Sequence, residues 1–417
     1  MHIVFIVGSY YPYYSAGGKC AGNIADEMSK SHRITVICVK NFPDQLGEEE
    51  HNRQKIIRVW TKEKKNRFYL ENRAKDPQSI RAYVYRFLLK LYKYSRALAI
   101  VFSRDSLEKE LVQNYTQALY RIDEPIDVII PLCLPFEGIA AAIQFKENQT
   151  RQLKVIPYLF DQFAENNRLH RMKLNKVIKK KKHVLLEREN YEKADYILAM
   201  HSLIEHFSTD LPEIKNITYL EHPLLVKPSI NESANDNNSI KIAYVGGLVK
   251  NYVEPNYLLE LYKGASSNST LHFYIFGNCA SVVDKYSRVM PTKIINHGSV
   301  DKETANREIS NSDILISIAE KKGLQKSSKI FDYISCGKPI VHLYSVVNDV
   351  NLNVLRKYPN VLCIMQDKEL MSQNVLAFNK FCEVNRNIVI PFSEVSTLFQ
   401  DATPGYTVII IEDIINS

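Results

Sequence analysis

The stretch IKIAYVGGLVKNY, residues 240–252, decides how the chain is read. Its near-continuous apolar run ends in the pair Gly246 and Gly247, with Lys250 just beyond. A run that is apolar without alternation belongs to a strand covered on both faces, as in a parallel sheet. HIVFIVGSYYP, residues 2–12, has the same form, a strand running into a glycine-bearing loop. The chain therefore opens twice in the same way. SINESANDNNS (229–239), dense in Asn and Ser turn chemistry, reads as the linker between the halves.

Outward from 240–252, strand-like runs recur at LHFYIFG (271–277), KIINHG (293–298), DILISIA (313–319), PIVHLY (339–344) and NVLCIM (360–365). Helix-like segments such as KETANREISN and NLNVLRKY fill the gaps. The alternation predicts a doubly wound parallel sheet. In the first half strands are expected at 2–7, 33–39, 126–130, 153–160 and 195–200, interrupted by the long helical segment RAYVYRFLLKLYKYSRALAIV. SLIEHF carries a capping box, with Ser202 as N-cap and Glu205 three residues on.

The fold class is thus α/β, with two Rossmann-like doubly wound parallel-sheet domains and a linker near 222–239. The expected boundaries are 1–225, with a helical insertion about 65–120, and 226–395. A helical tail, 396–417, is expected to pack back toward the first domain. A length of 417 residues is too great for one core, and 45% hydrophobic with 24% charged residues is a globular composition. The seven cysteines are scattered without a Cys-x-x-Cys pair, which reads as reduced, packed thiols rather than a metal site. The chain enters its first strand without a basic leader, and no apolar run approaches the roughly 18 residues of a spanning helix. A cytoplasmic protein is expected. A net charge of +8 suits phosphorylated ligands or anionic membranes but decides little alone.

Ligands of such sheets sit beyond the carboxyl ends of the strands, and with two domains the expected place is the cleft between them. That singles out Gly17, Gly18, Asp161, His201, Gly246, Gly247, Lys250, Gly277 and Gly298. It also singles out QKSSKIFDYISCGKPIV, residues 325–341, a short apolar-periodic segment with a cationic entrance that stops at a glycine. Ser327 or Ser328 is the expected N-cap and Gly337 the C′ residue of a helix of about nine residues. Its N–H groups and dipole, with Lys326 and Lys329, make an anion site suited to two phosphates. Asp332 shares the face of Ser328 one turn on, placed to accept hydrogen bonds from ribose hydroxyls. The same residues also read as an ordinary capped helix with solvated lysines.

Gly17-Gly18 lacks a Gly-x-Gly-x-x-Gly pattern, so a dinucleotide fingerprint is absent, and the pair reads as a tight approach to ligand or as a simple turn. Asp161 reads as a cleft-facing carboxylate or as a helix N-cap, and His201 as a packing residue. No Asp-x-Asp occurs, so a diphosphate-bound divalent metal is not indicated and no cofactor is expected. Two basic segments, 81–104 and 176–188 (the latter with four consecutive lysines), read either as surfaces for anionic lipid or as solvated faces of packed helices. No nucleic-acid motif accompanies them.

SSKIFDYISCGKPIV resembles the nucleotide-sugar signature of GT-B glycosyltransferases in the large retaining family 4. IKIAYVGGL, LHFYIFGN, HGSVDKETANREISNSDILIS, ADYILAMHS and PLCLPFEGIAAAIQFK extend the resemblance over most of the chain apart from about 45–125. It implies a metal-independent, retaining transfer from a nucleoside-diphosphate sugar to a saccharide or lipid-linked saccharide, in cell-surface polysaccharide or glycoconjugate synthesis. Under it Asp332 holds the donor ribose, and Ser327, Ser328, Lys329 and Ile330 lie around the diphosphate. Gly246, Gly247 and Gly277 line the donor. Gly17-Gly18 approaches the donor phosphate and acceptor, while Lys250, Lys329 and Asp161 serve catalysis. The family's first acid falls at Leu324, eight before Asp332, with Glu320 nearby out of register. The basic residues often found after the second-domain glycine are Gly247 and Tyr252 here, with Lys250 as the substitute. Two other readings stand beside the enzyme: a catalytically silent GT-B subunit supporting a partner, and a sugar-nucleotide epimerase.

Overall fold

Continuous β-branched and aromatic runs form the sheets of this computed structural model, which describes residues 1–75, 79–102, 107–164, 173–228, 239–265, 268–323 and 326–417. The chain divides into two compact units. One comprises Met1–Pro223 with Pro404–Ser417, the other Leu224–Thr403. The C-terminal helix Pro404–Asn416 thus belongs to the first unit, where it packs on the helix Ala16–Met28.

In the first unit β1 (His2–Ile6), β2 (Arg33–Val39), β3 (Glu48–His51), β4 (Gln54–Val59), β5 (Val128–Pro131) and β6 (Lys154–Val155) form a sheet in the order β3-β4-β2-β1-β5-β6. All its pairs are parallel except β3–β4. A second parallel sheet holds β7 (Tyr158–Leu159), β8 (Ile197–Met200) and β9 (Ile217–Leu220). The single strand expected over 153–160 is therefore two, serving different sheets. Pro157 lies between them, and its missing N–H interrupts a ladder at that point. The helices are α1 (Ala16–Met28), α2 (Lys62–Arg73), α3 (Ile80–Phe102), α4 (Lys109–Tyr120), α5 (Glu137–Glu147), α6 (Lys173–Tyr191) and α7 (Ile204–Asp210).

Ser202 is not a helix cap. His201–Leu203 turns off β8 as a 3-10 turn closed by Ile204 N–H to His201 O, and α7 starts after it with Leu203 at its N-cap. The backbone bond supplies what the serine hydroxyl would have.

In the second unit β10 (Ile240–Gly247), β11 (Ser269–Phe276), β12 (Ile294–Gly298), β13 (Ile314–Ile318), β14 (Ile340–Tyr344) and β15 (Val361–Met365) form an all-parallel sheet in the order β12-β11-β10-β13-β14-β15. Strand order reverses between β10 and β13, which makes their carboxyl ends the switch point of the sheet. Its core packs Ile242, Tyr244, Phe273, Ile314, Ile316 and Val341 against Leu258, Leu261, Tyr262 and Phe378. The helices here include α8 (Asn256–Lys263), α9 (Ala280–Val289), α10 (Lys302–Ser310) and α11 (Ser328–Ser335).

α11 ends at Gly337, whose φ of +68° is left-handed and whose absent Cβ would sit 2.0 Å from Ile390 O. A side chain there meets both backbone strain and a backbone clash. Gly337→Ala is expected to lower the unfolding free energy by at least about 2 kcal/mol. Urea denaturation measures it, and a loss under about 0.5 kcal/mol, the range of ordinary surface substitutions, would rule both causes out.

Candidate functional site

At the switch point of the second unit the sequence places glycines where backbones must meet. β10 runs through Gly246-Gly247, and Tyr244 Oη donates to Gly247 O at 2.9 Å. A Cβ on Gly247 would press on the Phe276 ring at 3.0 Å. Gly277, with φ +114°, brings its Cα so near the β10 loop that a Cβ would lie 2.2 Å from Leu248 O. Lys250 N–H then donates to Asn278 Oδ1 at 2.8 Å, and the Lys250 side chain is exposed on this edge. Gly298 also has positive φ but ends β12, the outermost strand, away from the others.

The loop after β13 is fixed just as closely. Lys321 N–H bonds Tyr252 O, and Lys321 Nζ pairs with Glu254 Oε2 at 2.8 Å. That pairing, with the Asn251 N–H, holds the Glu254 carboxyl below its ordinary range. Glu320, the acid out of register in the sequence, is buried and accepts the Lys322 N–H at 2.9 Å. Gly323 (φ +65°) packs against Val346 and Asp349. Leu324 and Gln325 lie outside the described residues.

α11 follows, with Ser327 at its N-cap in extended conformation and no side-chain cap bond. The Ser327 N–H donates to Asn351 Oδ1 at 2.8 Å. Asn351, through both its N–H and its Nδ2, donates to Asp349 Oδ1 at 2.8 Å. His342 Nε2 stands 3.7 Å from the same oxygen, and its Nδ1 meets Ser317 Oγ at 3.0 Å. Burial alone would raise the Asp349 carboxyl, but the nearby His342 and the Asn351 donors outweigh it and hold it low. A polar line thus runs from β13 and β14 to Ser327, the N-cap of α11.

Beyond it, the N–H groups of Ser328 and Lys329 lie in the first turn, where a helix has no internal acceptors. Neither finds another acceptor among the described residues. Ser328 is exposed, and Lys329 Nζ stands 3.6 Å from Asp332 Oδ2, one turn along. Ile330 does not face this edge: it is 1% exposed, and its N–H bonds Ser327 O. Tyr333, in the same signature, is buried, and its hydroxyl meets both Val245 N and Val245 O at 3.3 Å. It ties α11 to the strand that carries Gly246-Gly247. The second unit therefore gathers Gly246, Gly247, Lys250, Gly277, Ser327, Ser328, Lys329 and Asp332 at one sheet edge, with cations, two helix N–H donors and one carboxylate. Such a set has the chemistry to meet a polyanion that also offers hydroxyl donors.

In the first unit Ser15 caps α1 by accepting the Gly18 N–H at 3.0 Å. A Cβ on Gly18 would lie 2.1 Å from Ser9 O, so that glycine is required by the chain's own turn. A Cβ on Gly17 would meet Leu132 and Phe160 at ordinary contact distance, and Asp161, exposed, follows Phe160 just past β7. The loop bearing Asp161 is held from beneath by Glu187 of α6, fully buried, whose Oε1 accepts the N–H groups of Phe163 and Ala164 at 3.0 and 3.2 Å. Its Oε2 meets His206 Nε2 at 3.0 Å, and His206 Nδ1 meets Asp210 at 3.1 Å. His201, by contrast, is exposed and stacks over Tyr219.

Sequence reading missed Asp349, Asn351, His342 and Glu187. The turn-forming NDVN at 348–351 was the signal for the first two. Glu187, amid a lysine-rich helix, gave none.

None of the family models and none of the curated proteins matches the sequence. Solved structures do match its fold. The chain is similar to the lipopolysaccharide outer core galactosyltransferase WaaB at 13% identity and TM-score 0.54, covering 100% of this chain and 99% of that one. Sucrose-phosphate synthase from Thermosynechococcus elongatus is similar at 10% identity and TM-score 0.58, over 100% and 98% of the two chains. Anabaena HepE in complex with UDP is similar at 10% identity and TM-score 0.60, over 100% of both. At these identities the likeness is one of fold, and the fold is GT-B.

The Glu187–His206–Asp210 line has a consequence for stability. Burial alone would lower the His206 pKa, but Glu187 and then Asp210 outweigh it and raise it above its ordinary value. A raised histidine contributes stability that is complete below its unfolded pKa of about 6.5 and lost as pH rises through the folded value. Thermal melts across pH should show His206→Gln most destabilised relative to the parent on the acid side, with the gap narrowing as pH rises. A gap of constant size across pH would contradict the charged pairing.

Proposed function

We propose that the chain is a glycosyltransferase that takes a nucleoside-diphosphate sugar as donor. The observation that carries this is the entrance of α11. At the switch point of a GT-B sheet it presents two N–H donors and Lys329, with Asp332 one turn on. Among the proteins of this fold, HepE is in complex with UDP. In the proposed site the donor diphosphate lies against the N–H groups of Ser328 and Lys329, with Lys329 Nζ and Lys250 Nζ supplying charge. Asp332 accepts from the ribose hydroxyls.

The reaction follows from that arrangement. As the sugar–oxygen bond breaks, negative charge grows on the leaving diphosphate, and fixed donors and cations that meet it there lower the barrier. Lys250, Lys329 and the helix N–H groups supply this without a divalent ion, so metal independence is part of the proposal. The acceptor hydroxyl attacks from the face the diphosphate leaves, with retention, and its proton passes to the departing diphosphate oxygen, while Asp161 positions acceptor or sugar. A saccharide or lipid-linked saccharide acceptor, in cell-surface polysaccharide or glycoconjugate synthesis, completes the reading.

A specific observation favours a second reading, the catalytically silent GT-B subunit: Leu324 stands where the related signature carries its first acid.

Titration calorimetry with UDP and a panel of nucleoside-diphosphate sugars tests both. Hydrogen bonds to charged groups contribute about 1.5–3 kcal/mol each, so Lys329→Ala and Asp332→Ala should each weaken donor binding about 10- to 150-fold. Unchanged donor turnover in both variants would remove this site assignment. Binding with slow donor hydrolysis supports the enzyme, and no binding to any donor supports the silent subunit.

A further inference from the structure

An amphipathic helix on a folded unit normally turns its apolar stripe inward, because burial of that stripe is what holds the helix in place. α3 does the opposite. Its inner side meets α2 through small, polar and aromatic contacts. Ala82 is buried, Tyr85 packs edge-on to Tyr69 at 6.2 Å, Tyr92 Oη donates to Glu63 O, and Lys93 pairs with Glu71 at 3.4 Å. The outer side carries Tyr83, Phe87, Leu91, Tyr94, Leu98 and Phe102, spaced by fours and a three, so that they form one stripe along the helix. Each is between 49% and 82% exposed.

The charge around this stripe is of one sign. α3 contains Arg81, Arg86, Lys90, Lys93 and Arg96 and no Asp or Glu. At 100° per residue, Arg81 and Lys90 flank the stripe on its two sides, and both are exposed. The helix is about 35 Å long but too polar to cross a bilayer: no helix among the described residues is long and apolar enough to span one. Tyrosines with an apolar body and a polar tip, aliphatic side chains between them and a basic margin match the boundary between headgroups and acyl chains.

We propose that α3 docks this protein on the surface of an anionic bilayer, its stripe lying in the interface and Arg81 and Lys90 among the lipid phosphates. Charge complementarity selects this occupant. A second copy of the chain would set the cations that flank one stripe, Arg81 and Lys90, against those of the other, whereas an anionic headgroup layer neutralises them; Lys93 and Arg96 are already paired with Glu71 and Glu108. The proposal is independent of the donor site.

Co-sedimentation of the full chain with vesicles tests it, using phosphatidylcholine and phosphatidylglycerol in equal parts against phosphatidylcholine alone. The parent chain should bind the anionic vesicles far better, and high salt should weaken that binding. F87D/L91D should abolish binding, and R81E/K90E should weaken it on the order of fivefold per positive charge removed. Circular dichroism checks that each variant is folded, and if one is not, the other decides. Equal vesicle binding by the parent and a folded variant overturns the proposal, as does no binding to anionic vesicles. A lipid-free dimer that dissociates in F87D/L91D also overturns it, in favour of a second copy.

Discussion

The N–H of Ser327, held at 2.8 Å by Asn351 Oδ1, fixes where α11 begins, and the edge of the second unit that gathers Lys250, Ser328 and Lys329 depends on it. A helix start is a poor anchor by itself: its N–H groups face outward and its dipole contributes only about 0.3–1 kcal/mol to a nearby anion. Leaving a buried acceptor such as the Asn351 amide oxygen without its bond costs about 1–3 kcal/mol, so the Asn351 contact outweighs the dipole in setting the position of the first turn. Asn351 is in turn oriented by two bonds to Asp349, and Asp349, in the loop after β14, stands beside His342 of that strand. The donors of Ser328 and Lys329 are therefore placed before any ligand arrives. A ligand then loses little free energy to ordering them, which is the physical meaning of a preorganised site.

The same logic separates residues that line the edge from residues that build it. Ser328, Lys329, Asp332 and Lys250 have exposed or partly exposed side chains, whereas Ile330, Phe331, Tyr333 and Ile334 are buried. In this signature the apolar and aromatic positions are scaffold. Tyr333 is the clearest case, because its hydroxyl serves both the N–H and the carbonyl of Val245 and so sets the distance from α11 to the glycine strand. In the first unit Glu187 plays a comparable part. It satisfies two loop N–H groups below Asp161 while its own charge is balanced by His206.

How much of this was legible in the sequence follows from what each element rests on. Strands buried on both faces announce themselves as apolar runs, and β1, β2, β5, β8 and all six strands of the second unit fall where such runs predict them. β3 and β4 did not, because β3 is EEEH, an antiparallel edge strand with one side in water, and β4 carries Lys55 and Arg58 on either side of its isoleucine pair. Local chemistry also made α11 and its glycine stop readable. The Ser327–Asn351 contact was not readable, because it joins side chain to backbone across 24 residues and depends on where the β14 loop returns. Gly18 shows the converse: the glycine was visible but its reason, the nearness of Ser9 O, was not.

Periodicity likewise revealed the stripe of α3 but not which way it faces, and that direction bears on why the helix is there. Burying one large apolar side chain contributes about 1.5–3 kcal/mol, so turning six of them outward leaves much of the stabilisation available to this helix unused. A helix selected only to complete the first unit would carry those residues on the side of Ala82 and Tyr85. The segment α2–α3 is inserted between β4 and α4, and β4 pairs with β2 in regular parallel register just before it. The sheet is complete without the insertion, so its outward stripe and one-signed margin answer to a surface outside the unit.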